Sequence, residues 1–137
     1  MGQVSVELTL KNAGDIAKAA SSYIQEQEIR QIIVEAVVDT GAGTLIINEE
    51  TRQKLGLSVK SEGYATLGDS SRVVCKRAEP VEIWWQNRST TCHPVVLQDS
   101  EEVLLGVIPL EDMDLIVDPV RQILTGAHGD EVVYMVR

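Results

Sequence analysis

Val4, Val6, Leu8 and Leu10 alternate with Gln3, Ser5, Glu7, Thr9 and Lys11, the period of a strand with one face buried and one wet. Asn12-Ala13-Gly14-Asp15 interrupts the pattern, and Asp15 is placed to cap a short helix from Ile16 to Ala20. Alternation resumes with Ile32, Val34, Ala36 and Val38 on one face and Ile33, Glu35 and Val37 on the other, and it runs straight into Asp39. Leu45-Ile46-Ile47 is a second apolar strand. Asn48 suits the N-cap of a helix over Glu49 to Leu55, with two acids in its first turn and Gly56 as its stop.

Further along, residues 64–75 hold a Gly68-Asp69-Ser70-Ser71 turn between two β-prone arms, which predicts a hairpin. Val81, Ile83 and Trp85 alternate with Glu82, Trp84 and Gln86. A turn over Asn87 to Thr90 leads to a return strand from Cys92 to Leu97. Residues 98–102 form a polar loop before the apolar run Val103-Leu104-Leu105-Gly106, and Pro109 suits the first position of a short helix from Leu110 to Met113. Strands over 115–117 and 120–124 flank an Asp118-Pro119 turn, and a last strand is expected over 131–137. About eight strands with no βαβ rhythm predict a mostly β fold, an antiparallel barrel with one or two short helices, made by residues 1–137 as a single domain.

Composition narrows what such a barrel does. The chain has 137 residues with 12 Lys+Arg against 21 Asp+Glu, a net charge of -9. That balance argues against nucleic acid or an anionic membrane as partner. Neither a long apolar run nor a basic, apolar leader is present near Met1, so the expected setting is cytoplasmic and not membrane-bound. Cys75 and Cys92 are read as reduced, half-buried thiols. With His93 and His128 they are too few and too scattered for a zinc site, so no metal and no cofactor is expected.

Against this background Asp39 stands out, because it places a carboxylate between Val37-Val38 and Leu45-Ile46-Ile47, where core is expected. Asp-Thr-Gly alone is ordinary turn chemistry. Val37-Val38-Asp39-Thr40-Gly41-Ala42 nevertheless resembles the active-site signature of retropepsin-type aspartic proteases, and Val103-Leu104-Leu105-Gly106 resembles their second landmark. Signature, flap, apolar-Gly landmark and short helix follow in family order. The small bacterial members are the nearest likeness, sharing a stretch like Leu104 to Glu111 and a later Asp-Pro, here Asp118-Pro119.

The resemblance implies a closed acid-protease barrel in which 64–75 is the flap and 12–30 a variable insert. It makes Asp39, Thr40 and Gly41 the catalytic residues, with Ala42, Leu67, Gly68 and Asp69 in contact with a polypeptide substrate. Carboxylate-driven peptide hydrolysis needs two acids, and one chain carries a single Asp-Thr-Gly. The second must come from Asp39 of another copy, so the active form is a homodimer. Thr40 is expected to hydrogen-bond across the two-fold axis. Two departures bear on dimer strength: retroviral enzymes carry an acid where Gly43 stands and an arginine where Val107 stands, and those side chains pair near the interface. Deleting both leaves no unpaired charge, so the fold stands, and pairing of the last strand between subunits is the expected substitute.

A dimeric endopeptidase is thus the leading expectation. The alternative is a non-catalytic dimerisation or peptide-binding module on the same fold. A phosphate loop of the actin-like ATPase kind at Asp39 to Thr44 fails on length, since that fold needs two large lobes.

Overall fold

The computed structural model describes residues 3–134 and 136. Strands β1 (Ser5–Asn12), β2 (Gln31–Val38), β3 (Leu45–Ile47), β4 (Val59–Thr66), β5 (Arg72–Ala78), β6 (Val81–Trp85), β7 (Arg88–Cys92), β8 (Val95–Val96) and β9 (Leu104–Leu105) form one sheet in the order β4-β5-β8-β3-β9-β2-β1-β6-β7. A separate hairpin joins β10 (Leu115–Asp118) to β11 (Ile123–Gly126). The long sheet curls about an apolar cluster that includes Leu8, Leu10, Ala36, Leu45, Ile47, Val81, Ile83, Val96 and Leu105. The mostly β expectation holds, with two refinements. β4 and β7 end the sheet without pairing to each other, and two of its contacts, β2 with β9 and β3 with β8, are parallel.

β1 is where the alternating pattern predicts it, with Leu8 and Leu10 fully buried between β2 and β6. Each such side chain stabilises the fold by about 2 kcal/mol. Where one or two short helices are expected, three α-helices cover the sheet among the described residues: α1 (Ala13–Ala20), α2 (Glu49–Leu55) and α3 (Val107–Asp112). α2 keeps the predicted ends. Asn48 accepts from the Thr51 N–H at 2.8 Å, and Gly56 stops the helix in the left-handed region at φ 64°.

Four local expectations shift. Asp15 does not cap α1; Asn12 does, its Oδ1 accepting from the Asp15 N–H at 3.0 Å. Freed from capping, the buried Asp15 carboxylate takes a bidentate pair from Arg30, with Nε at 2.8 Å and Nη2 at 2.9 Å. The expected turn at 87–90 contracts to Gln86-Asn87, with Gln86 at φ 52°, and Arg88 becomes the first residue of β7. α3 begins at Val107 because Gly106 serves as its N-cap, which moves Pro109 to the third helical position, still inside the turn whose N–H groups lack helical acceptors. The strand expected from Val120 starts at Ile123 instead, since Asp118 Oδ1 accepts from the Val120 and Arg121 N–H groups at 3.0 and 3.1 Å and holds them in a turn.

At the end of the chain Glu131 forms one isolated bridge, with His128, and Val132 to Tyr134 join no ladder among the described residues. The final strand therefore lacks a partner within the chain as far as Tyr134. Met135 and Arg137 of that expected strand lie outside the described residues.

Candidate active site

Asp39 is positioned by a crossing. β9 lies between β2 and β3, parallel to the first (Val37 opposite Leu104, Val38 opposite Leu105) and antiparallel to the second (Leu45 opposite Leu105, Ile46 opposite Leu104). The loop 39–44 must pass over the end of β9 to connect its two neighbours. It is held at both feet: the Asp39 N–H donates to Leu105 O at 3.0 Å, while the Val107 and Ile108 N–H groups at the start of α3 donate to Ala42 O at 2.8 Å and Gly43 O at 3.0 Å. Those two amides are among the four that a helix start leaves without partners. One landmark therefore anchors the other.

Gly106 makes that anchoring possible. A Cβ there would lie 2.3 Å from Thr44 O and 2.6 Å from Ala42 O, a collision with backbone that no side-chain rotation relieves. Within the loop, the Ala42 N–H donates to Asp39 O at 3.0 Å and the Gly41 N–H to Asp39 Oδ1 at 2.9 Å. A Cβ on Gly41 would stand 3.1 Å from that carboxylate oxygen, so glycine lets the backbone meet the acid. Asp39 and Ala42 are half-buried, while Thr40 and Gly41 are exposed at the surface. The acid is thus fixed by main-chain bonds yet open on one side.

The remaining candidates sit on the hairpin of β4 and β5. Leu67, Gly68 and Asp69 occupy its tip, all exposed. The tip is pinned by the Leu67 N–H donating to Ser71 O at 2.8 Å and by Asp69 Oδ1, which accepts from the Ser71 N–H at 2.9 Å and the Ser71 Oγ–H at 2.5 Å. Those two bonds from Ser71, the hydroxyl's above all, hold the Asp69 carboxyl below its ordinary range. Gly68 has open space where a Cβ would be, so packing within the chain does not require glycine there.

Beneath the hairpin lies a cleft of about 720 Å³, walled by Leu67, Val73 and Val74 on one side and by Val96, Leu97 and Asp99 on the other. Leu67 is the one sequence-predicted residue in its lining. Asp39, Thr40, Gly41, Ala42, Gly68 and Asp69 are not part of it, so one chain does not unite acid and cleft in a single pocket. The wall over 98–100 escaped sequence reasoning, which reads a polar loop over 98–102 and ends the preceding strand at Leu97; its position shortly before the apolar-Gly run was the available signal.

Cys92 also borders the loop. Burial pushes its thiol up, opposed by the Thr44 side chain and the Leu45 backbone beside it. Cys75 and Cys92 are both free and half-buried. Among the described residues no cluster of three His, Cys, Asp or Glu could hold a metal ion, and no helix is long and apolar enough to cross a membrane.

Residues 11–112 match the family described as "gag-polyprotein putative aspartyl protease". The chain belongs to that family. The retropepsin-like fold is shared with the retroviral protease-like domain of Ddi1 from Leishmania major, at a TM-score of 0.59 and 16% identity over 100% of this chain and 96% of that one. A retropepsin-like aspartic protease from Rickettsia conorii also aligns, at a TM-score of 0.45 and 17% identity over 86% of this chain and 89% of that one. No curated protein sequence matches. Family membership thus covers the stretch from the end of β1 through α3, including the Asp39 loop, the hairpin and Gly106.

Proposed function

We propose that this chain is an aspartic endopeptidase that works as a homodimer, with the two Asp39 carboxylates as its catalytic dyad. The observation that carries the reading is the Asp39 loop: a half-buried acid fixed by the Gly41 N–H at 2.9 Å, anchored by Gly106 and α3, and present once per chain. A rigid, outward-facing acid supplies half of a two-acid site, and a two-fold axis supplies the rest.

Two carboxylates in contact cannot both be ionised, aspartic proteases being the type case, so such a pair shares one proton. The ionised member takes a proton from water as its oxygen adds to the scissile carbonyl carbon, and the protonated member donates to the carbonyl oxygen. Collapse of the tetrahedral adduct breaks the C–N bond, and the leaving nitrogen departs protonated. Thr40, exposed beside the acid, has the short side chain needed to hydrogen-bond the partner loop across the axis. Ala42, Leu67, Gly68 and Asp69 contact the substrate, which lies extended between loop and hairpin as an added strand.

Replacing Asp39 by Asn tests this directly. The expected result is loss of peptide cleavage with the far-UV spectrum and dimer affinity retained. Cleavage surviving in Asp39→Asn overturns the assignment. A second reading, a non-catalytic module that binds peptide or a second copy, is favoured by one observation: the cleft under the hairpin does not include Asp39. It predicts a dimer that cleaves no peptide and binds extended peptides equally well in the wild type and in Asp39→Asn.

A further inference from the structure

The hairpin of β4 and β5 runs against the charge of the rest of the chain. Residues 59–78 carry four cations, Lys60, Arg72, Lys76 and Arg77, against Glu62 and Asp69, while the whole chain has a net charge of -9. None of the four has a carboxylate at bonding distance among the described residues. The acid at the hairpin tip, Asp69, is bonded to Ser71. Arg72 lies over the Tyr64 ring, 4.4 Å from its centroid, a contact that narrows the range of the guanidinium and leaves its charge unneutralised.

β5 also has an open edge. β4 pairs with it along its length, but β8 meets the other edge only at Lys76 and Arg77, so from Arg72 to Cys75 that edge joins no strand among the described residues. Val73 to Lys76 wall the 720 Å³ cleft, and Arg72 is next along the strand. An extended peptide added to this edge runs beside β5, and its side chains meet those of β5 as cross-strand pairs. Arg72, Val74 and Lys76 alternate onto one face, the two cations about 13 Å apart and the 64% exposed Val74 between them.

Three acids lie around this row. The Glu49 carboxylate, in the cleft wall, accepts from Arg52 Nε at 2.7 and 3.0 Å. Glu62 is the β4 partner of Lys76, on the side away from the open edge, and Asp99 stands in the opposite wall of the cleft. The balance along the open edge therefore stays positive, more firmly at Arg72 than at Lys76. Contact decides the outcome over net charge, because at physiological salt exposed charges more than about 8 Å apart are largely screened.

We propose that Arg72 and Lys76 set substrate specificity: the cleft takes an extended polypeptide segment with acidic side chains four residues apart and an apolar side chain midway between them. The inference rests on the endopeptidase reading above and names the substrate class of that site.

The test uses the full chain and three peptides that share an apolar centre and carry Glu, Gln or Lys at both flanking positions, two residues to either side. The readout is the ratio of kcat/KM for the Glu peptide to that for the Gln peptide, taken on one sample so that any loss of fold cancels. Wild type is expected to favour Glu roughly tenfold, about threefold from each charged pair, mostly through KM, and to lose that preference at high salt. Arg72→Gln should lower the ratio more than Lys76→Gln, the double variant should bring it to about one, and Arg72→Glu should raise the relative rate of the Lys peptide. A wild-type ratio of one or below overturns the proposal, as does a ratio that the double variant leaves unchanged. If none of the three peptides is cleaved, the endopeptidase reading fails. The same ratio, taken from dissociation constants by fluorescence anisotropy, then decides the acid preference alone, and absence of binding by the Glu peptide overturns it.

Discussion

At the scale of single residues, the close geometry at Gly106 and at Asp15 carries two predictions. Gly106 bears on the acid directly, because the space for its Cβ is already filled by two carbonyl oxygens of the Asp39 loop. Gly106→Ala must displace that loop or α3, at an expected cost of about 3 kcal/mol. Cleavage should fall further than stability, since the displaced element carries Asp39; chemical denaturation and a peptide assay on the same samples read both. Asp15 makes a different prediction. The Arg30 side chain, through its hydrogen bonds, holds the Asp15 carboxyl below its ordinary value of 3.8. A carboxyl depressed in the folded state adds stability above its unfolded value, and that stability is lost as pH falls through the folded value. Asp15→Asn is therefore expected to lower stability at neutral pH by about 1 kcal/mol, discounted because Arg30 is half exposed. Below about pH 4 its unfolding midpoint should converge on the wild type's. A constant gap from neutral to acid would show that the pair contributes nothing through charge.

At the scale of elements, what could be read from sequence was local. α2 declared itself through Asn48 and Gly56, and the hairpin through Gly68 to Ser71, because in each the signal and its structural consequence lie within a few residues. Asp15 was assigned to a cap because it looks like one. Asn12, the last residue of β1, caps that helix through its Oδ1 and donates its Nδ2 to Leu55 O, at the end of α2, at 2.8 Å. Arg88 was read as a turn residue for a related reason: its acceptors on Met113, Asp114 and Gly129 are remote along the chain, and no periodicity reports them. The crossing of 39–44 over β9 was equally hidden, since β9 is two residues long and its neighbours are fixed only by the order of strands in the sheet. The hairpin tip carries its own prediction. Asp69 holds the turn through Ser71, so Asp69→Ala should loosen residues 67–71 without changing global stability by more than about 0.5 kcal/mol. On the proposed reading KM rises more than kcat falls, and steady-state kinetics with one peptide separates the two. An unchanged KM would place the tip outside the substrate path.

At the scale of the whole molecule, each chain offers one fixed acid and a cleft that does not contain it. On the proposed reading these parts make a complete site only in pairs, which turns stoichiometry into the strongest prediction. When wild-type and Asp39→Asn chains are mixed, dissociated and allowed to reassociate, active sites with two carboxylates form in proportion to the square of the wild-type fraction. An equal mixture should then retain roughly a quarter of the activity that the same total of wild-type chains would show. Dilution of wild type alone should lower specific activity as dimers separate, and a tight extended-peptide inhibitor should restore the dimer by mass action. If activity instead falls linearly with the wild-type fraction, each chain works alone. The second acid would then have to come from within the chain, where the Asp-Thr-Gly of Asp39 occurs once.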